Sequence, residues 1–206
     1  MRVLITGFGP FPGAPSNPSA ALANALARRR RPAFAAIERA AHVFATTYAS
    51  VDRDLPKLFA PKPDLVLMFG LAGRRRHVCI ETQAHNAVSV LFPDASGLRP
   101  QQSAIKRGAP AARRGNAPFA ALAGATRTAK FRASVSRDAG RYLCNYLYWR
   151  ALERVGGGKP LVQFVHVPPL ASKPRRKSAT QSRPTLAHLL KTAEALLLAL
   201  ASASRR

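Results

Sequence analysis

Residues 64–70 read DLVLMFG and residues 161–167 read LVQFVHV. Each is a short, nearly continuous apolar run. Such a run suits a parallel strand at the centre of a sheet, covered on both faces, because no side chain then has to alternate toward water. Residues 2–6, RVLIT, have the same character, and they lead through a loop at 7–18 into a helical stretch. Asn17 is a good N-cap for that helix and Pro18 a good first residue. A further β-like stretch at 37–46 precedes an amphipathic segment in which Tyr48, Val51, Leu55 and Leu58 recur at helical spacing. Residues 77–90 read as one or two more strands. A helix ending near Val155 can be capped by Ser136 or Asp138, and a last helix spans 185–201. Strands alternating with helices predict an α/β protein, a three-layer α/β/α sandwich around a mixed, mainly parallel sheet.

The pattern weakens at 91–131, which is rich in Gly, Pro, Ala, Arg and Gln and reads as a long excursion that could cover a site. A basic, Pro-rich segment at 168–184 separates the last strand from the last helix. With 206 residues and 47% apolar content, the chain can bury a full core, and residues 1–206 read as a single domain. Net charge is +24, from 33 Lys and Arg against 9 Asp and Glu. This balance permits nonspecific polyanion contact, yet no aromatic-interleaved basic strand or zinc spacing accompanies it, and a solvated basic surface is the simpler reading. Two cysteines make no disulfide framework and fit a reduced, cytoplasmic setting. No apolar run approaches membrane-spanning length by this reading, so no membrane contact is expected.

Those cysteines carry the chemistry. Cys144 falls early in the helical segment SRDAGRYLCNYLYW (136–149), where the positive end of a helix dipole favours a thiolate, and His166 falls at the end of the 161–167 strand. A lone cysteine is more often a packed core residue, and a lone histidine an ordinary strand end. Together on adjacent elements they are the minimal parts of a cysteine nucleophile and its base. Glu81, in CIETQAHN, is one of nine acids that could orient such a histidine. Cys79 is the weaker nucleophile, because residues 77–81 alternate like a strand that would pack it. The loop GFGPFPG (7–13) is not a phosphate cradle: its prolines remove backbone donors, and its glycine spacing matches no nucleotide motif. A tight turn setting Phe8 and Phe11 at the mouth of a pocket fits better.

Four blocks, LITGFGPFPGAPSNPS (4–19), GLAGRRRHVCIETQAHN (70–86), SRDAGRYLCNYLYW (136–149) and FVHVP (164–168), resemble in content and order the signature blocks of pyroglutamyl peptidase I, the pyrrolidone-carboxylate cysteine peptidases. The resemblance implies a phosphorylase/hydrolase-like α/β/α fold, a triad of Glu81, Cys144 and His166, and removal of N-terminal 5-oxoproline from a peptide with a blocked N-terminus. His166 would take the thiol proton, Cys144 would attack the acyl carbonyl, and water would release pyroglutamate from a thioester. No cofactor or metal enters that scheme. The family's pocket aromatics match Phe8 and Phe11, and Tyr142 and Leu143 stand where Phe and Val are usual. Members of the family are often homo-oligomers.

Two positions depart from the family pattern. In VSVLFPDA (88–95), Leu91 takes the place of an arginine near the oxyanion, and loss of one such donor costs ~10²-fold to 10³-fold in turnover. Leu71 replaces a glutamine that would face the lactam. These departures motivate an alternative, a relative with altered N-acyl specificity or much reduced activity. The charge motivates another, a basic polyanion-binding protein.

Overall fold

The computed structural model describes residues 1–128, 133–171 and 183–205. The apolar runs at Leu65–Leu71 and Leu161–Val167 form the middle of a six-stranded sheet. In it β1 (Arg2–Phe8), β2 (Glu38–Phe44), β3 (Leu65–Leu71), β4 (Val78–Glu81), β7 (Ala133–Ser136) and β8 (Leu161–Val167) lie in the order β2-β1-β3-β8-β4-β7. The pairs β1–β2, β1–β3, β3–β8 and β4–β7 are parallel, and β4 runs antiparallel to β8. Two further short strands, β5 (Gln83–His85) and β6 (Ala112–Arg114), make a separate antiparallel pair.

Helices α1 (Pro18–Arg28), α3 (Phe119–Thr128) and α5 (Leu186–Ser204) cover one face of the sheet, and α2 (Tyr48–Phe59) and α4 (Leu143–Val155) the other. Alternate residues of the same strands feed the two cores. Ile5, Leu67, Phe69 and Val165 pack with Leu22, Leu26 and Leu196. Leu4, Val66, Met68 and Phe164 pack with Val51, Leu55 and Leu147. This is why residues 64–70 read as continuously apolar.

Local chemistry sets the helix ends. Asn17 Oδ1 accepts from the Ser19 N–H at 3.1 Å with Pro18 next to the cap, and Thr47 Oγ1 accepts from Ser50 at 3.2 Å. At the far end of α4, Gly156 adopts φ +56°, the left-handed conformation that glycine tolerates best.

The start of α4 differs from the sequence expectation. Ser136 and Asp138 do not cap it, because they close their own turn: Ser136 Oγ accepts from Asp138 N at 3.2 Å, and Asp138 Oδ1 from Gly140 N at 3.0 Å. The helix begins at Leu143, with Tyr142 as an N-cap that contributes no side-chain bond. Cys144 is therefore in the first turn itself.

The excursion is also more ordered than its composition implies. Residues 86–111 hold no helix or strand, but Asn86 closes their base through its N–H to Ala111 O at 2.8 Å and its side-chain amide to Lys106 O at 2.8 Å. β6 and α3 follow, and residues 129–131 lie outside the described set. So does most of the Pro-rich 168–184 segment. Finally, α5 has the length and composition of a spanning helix, with a mean hydropathy of 1.4, contrary to the expectation that no run approaches this. Its apolar face is consumed by the core: Leu189, Ala193, Leu196, Leu197 and Leu200 are buried there.

Candidate active site

Three elements converge at the carboxyl ends of β3 and β8. In the register, Gly70 of β3 and Cys79 of β4 flank His166 of β8, and Glu81 lies opposite Phe164. Directly paired residues share a sheet face, so Glu81 and His166 both point toward the α4 side. His166 Nδ1 meets Glu81 Oε1 at 2.8 Å, with Glu81 fully buried and His166 6% exposed. This bond leaves Nε2 for the nucleophile and fixes the tautomer. The ring also rests edge-on against Phe164, 5.0 Å between centroids.

Cys144 is supplied from the opposite side by the first turn of α4. Its sulfur sits so close to β3 that a β-carbon at Gly70 would stand 2.6 Å from Sγ and 2.7 Å from Phe164 Cζ. Glycine is the residue that lets the helix end descend onto the strand. Cys144 is the strongest influence holding a proton on the His166 ring. Desolvation works against the imidazolium, but the charge and hydrogen bond of Cys144, and then those of Glu81, outweigh it and lift His166 to about 9. The site thus favours a protonated His166 ring beside the first turn of α4, where the helix leaves its N–H groups unpaired.

Residues not singled out in the sequence hold this arrangement. Asn145, fully buried, accepts from His85 N and donates to His85 O and Ala87 O, all at 2.8 Å. It therefore ties β5 and the root of the 86–111 loop to the turn that carries the nucleophile. Asparagine is a poor interior helix former, and its place directly after Cys144 was the available signal. Tyr148 and Gln163 donate to the Glu81 carbonyl at 3.1 and 3.0 Å. Arg75 Nη1 reaches Glu81 Oε1 at 3.3 Å, so one member of the Arg74–Arg76 run points inward while Arg74 and Arg76 are exposed.

The expected pocket residues separate into two groups. Phe11 is half-buried with its ring 6.3 Å from that of Tyr142, whose hydroxyl donates to Pro93 O at 2.8 Å. Leu71 is half-buried at the end of β3, opposite Val167. Phe8 and Leu143 are instead core residues at 2% and 1% exposure. Phe8 packs on Phe44 at the end of β1 and not at a mouth, because its strand runs two residues further than the expected 2–6. Leu91 turns outward at 72% exposure, and its neighbour Phe92 is 64% exposed. Beside them a cleft of about 640 Å³ opens between Val88, Phe92, Ala104, Arg141 and Tyr142.

A buried acid, a histidine held by it and a thiol at a helix N-terminus on an α/β sandwich define a hydrolase of the cysteine type. The pyroglutamyl peptidase family model matches residues 1–206. Pyrrolidone-carboxylate peptidases from Thermococcus onnurineus and Gloeobacter violaceus are 37% and 35% identical. They align over 82% of this chain in both cases, and over 84% and 82% of their own lengths. A mutant pyrrolidone carboxyl peptidase from Pyrococcus furiosus superposes with a TM-score of 0.87 at 26% identity, over 99% of this chain and all of that one. The enzyme from Fervidobacterium islandicum does so at 0.86 and 27% identity, over 98% and 99%. The chain belongs to the pyroglutamyl peptidase family.

Proposed function

We propose that this protein is a cysteine peptidase that removes an N-terminal pyroglutamyl residue through a thioester, with Cys144 as nucleophile, His166 as base and then acid, and Glu81 as the group that orients His166. The observation that carries the reading is the 2.8 Å Glu81–His166 contact beside a first-turn thiol. The Cys144 thiolate attacks the carbonyl of the pyroglutamyl residue, and its charge passes to the carbonyl oxygen. The free N–H groups of the first α4 turn stabilise that oxyanion. Collapse of the tetrahedral species expels the amine, which takes its proton from the imidazolium. Neutral His166 then accepts a proton from water as the water attacks the thioester, and pyroglutamate leaves.

Leu71, Phe11 and Tyr142 supply apolar and aromatic surface for a flat, uncharged lactam ring, with Phe8 and Leu143 as the packed layer beneath. The rest of the peptide extends toward the cleft beside Tyr142. A cytoplasmic setting fits the two free thiols. The oxyanion is served by backbone N–H groups, so an outward Leu91 does not remove a necessary donor. Incubation with a chromogenic pyroglutamyl amide tests the proposal: release that disappears in Cys144→Ala supports it, and no release from the parent protein refutes it.

A further inference from the structure

Glu81 Oε1 is shared. It accepts from His166 Nδ1 at 2.8 Å and from Arg75 Nη1 at 3.3 Å, while the other arm of the same guanidinium, Nη2, donates to Asp138 O at 3.2 Å. Asp138 lies on the connection that delivers α4 and Cys144. Arg75 itself sits in a turn closed by its own N–H to Ala72 O at 3.0 Å, and Ala72 N in turn donates to Val167 O, next to His166, at 2.9 Å. One forked side chain thus spans the strand bearing the acid and the chain leading to the nucleophile, from a turn anchored beside the base. Its side chain is 34% exposed, so it is a half-buried cation next to a fully buried carboxylate.

We propose that Arg75 is a positioning residue for the reaction: it fixes the Glu81 carboxylate and balances its charge, and so sets how tightly His166 holds its proton. The proposal rests on the peptidase reading above.

Among the described residues, Cys144 faces His166 from α4, Glu81 faces it from β4, and Cys79 lies opposite it on β4; Tyr148 of α4 adjoins Glu81, and Tyr142 adjoins Cys144. Arg75 interacts with Cys79, Glu81 and Asp138; burial opposes its charge, but these partners hold its guanidinium protonated above the usual arginine range. A forked donor matters here because Glu81 and Asp138 O are met by two separate nitrogens in a fixed plane, a spacing that the single Nζ of lysine does not reproduce. Removing the cation leaves the carboxylate acting on the imidazolium alone, so His166 should keep its proton to higher pH.

The test is the pH dependence of two rates, iodoacetamide alkylation of Cys144 and hydrolysis of a pyroglutamyl amide, in the parent, Arg75→Met, Arg75→Lys and Glu81→Gln proteins. In Arg75→Met the alkaline limb should move up from near 9 by about half a unit, and kcat should fall about tenfold or more as the acid loses its hold. Arg75→Lys should return the limb to the parental position with only part of kcat. In a Glu81→Gln background, Arg75→Met should move nothing further. A limb that stays in place in Arg75→Met, or a shift that persists without Glu81, overturns the proposal; a lowered Tm with an unmoved limb is the signature of mere structural support and overturns it too. Should Arg75→Met not fold, parental kcat in Arg75→Lys is the overturning result and a loss of kcat at unchanged KM the supporting one. If the parent hydrolyses nothing, the peptidase reading fails, and the alkylation profile still reads the effect of Arg75 on the thiol–imidazole pair.

Discussion

The strands β1, β3 and β8 and the strands β4 to β7 serve one site by opposite means. The first group is apolar on both faces apart from Thr6, Gln163 and His166, so burial does most to fix its position, and it presents His166 and the gap at Gly70. The second group is short, and it is held by side-chain bonds from Asn145, Tyr148, Gln163 and Arg75. Its contribution, Glu81, is a fully buried acid that apolar packing could not hold in place. Precision at the site therefore depends on packing on one side and on directed side-chain hydrogen bonds on the other.

Breaking the packed side should cost most. Gly70→Ala puts a methyl group 2.6 Å from the Cys144 sulfur, and neither β3 nor the α4 turn can yield without moving the nucleophile. We expect kcat/KM to fall by more than about 10²-fold, measured on the same chromogenic amide, with far-UV circular dichroism unchanged. A smaller loss would mean that α4 is less firmly seated than its contacts imply.

On the polar side, Asn145→Ala strands one N–H and two carbonyls at the half-buried His85 and Ala87. We expect a loss of about 3 kcal/mol in urea unfolding, with kcat falling about tenfold and KM little changed. The difference between the two variants, one catalytic before it is structural and one the reverse, is what the comparison requires.

The charge pair gives a smaller effect. His166 is raised from 6.5 to about 9 in the folded protein, so its contribution to stability is complete below pH 6.5 and is lost as pH rises through 9. Tm should decline across that window, and in Cys144→Ala, where the largest raising influence is gone, the decline should shrink and move to lower pH. The smallest effect is expected at Leu91, which is 72% exposed: Leu91→Arg should change kcat/KM by no more than about twofold, and Tm hardly at all.

Much of the packed side could be read in the sequence, because an apolar run of strand length between glycines and prolines has few other uses, and DLVLMFG and LVQFVHV fell where expected. Cys144 and His166 were visible as a pair for the same reason, since both sit on strongly patterned elements. Glu81 was one acid of nine until the resemblance singled it out, because a carboxylate that ends in a polar network leaves no periodic trace. Ser136 and Asp138 misled as caps because their side chains were satisfied within two residues. Arg75 could not be told from Arg74 or Arg76, since the direction of a turn side chain depends on the Ala72 hydrogen bond and not on its own identity. The outward aim of Leu91 was hidden likewise, in a loop whose path is set by Asn86 and Tyr142.

The central claim is that one sulfur carries the acyl group during turnover. It is tested most directly by quenching the protein in acid during hydrolysis of a pyroglutamyl amide and mapping the adduct by mass spectrometry. The account predicts a pyroglutamyl thioester on the peptide containing Cys144, strengthened at early times and absent after hydroxylamine treatment. A parent protein that turns over with no acyl adduct at Cys144, or with the adduct at Cys79, would contradict it.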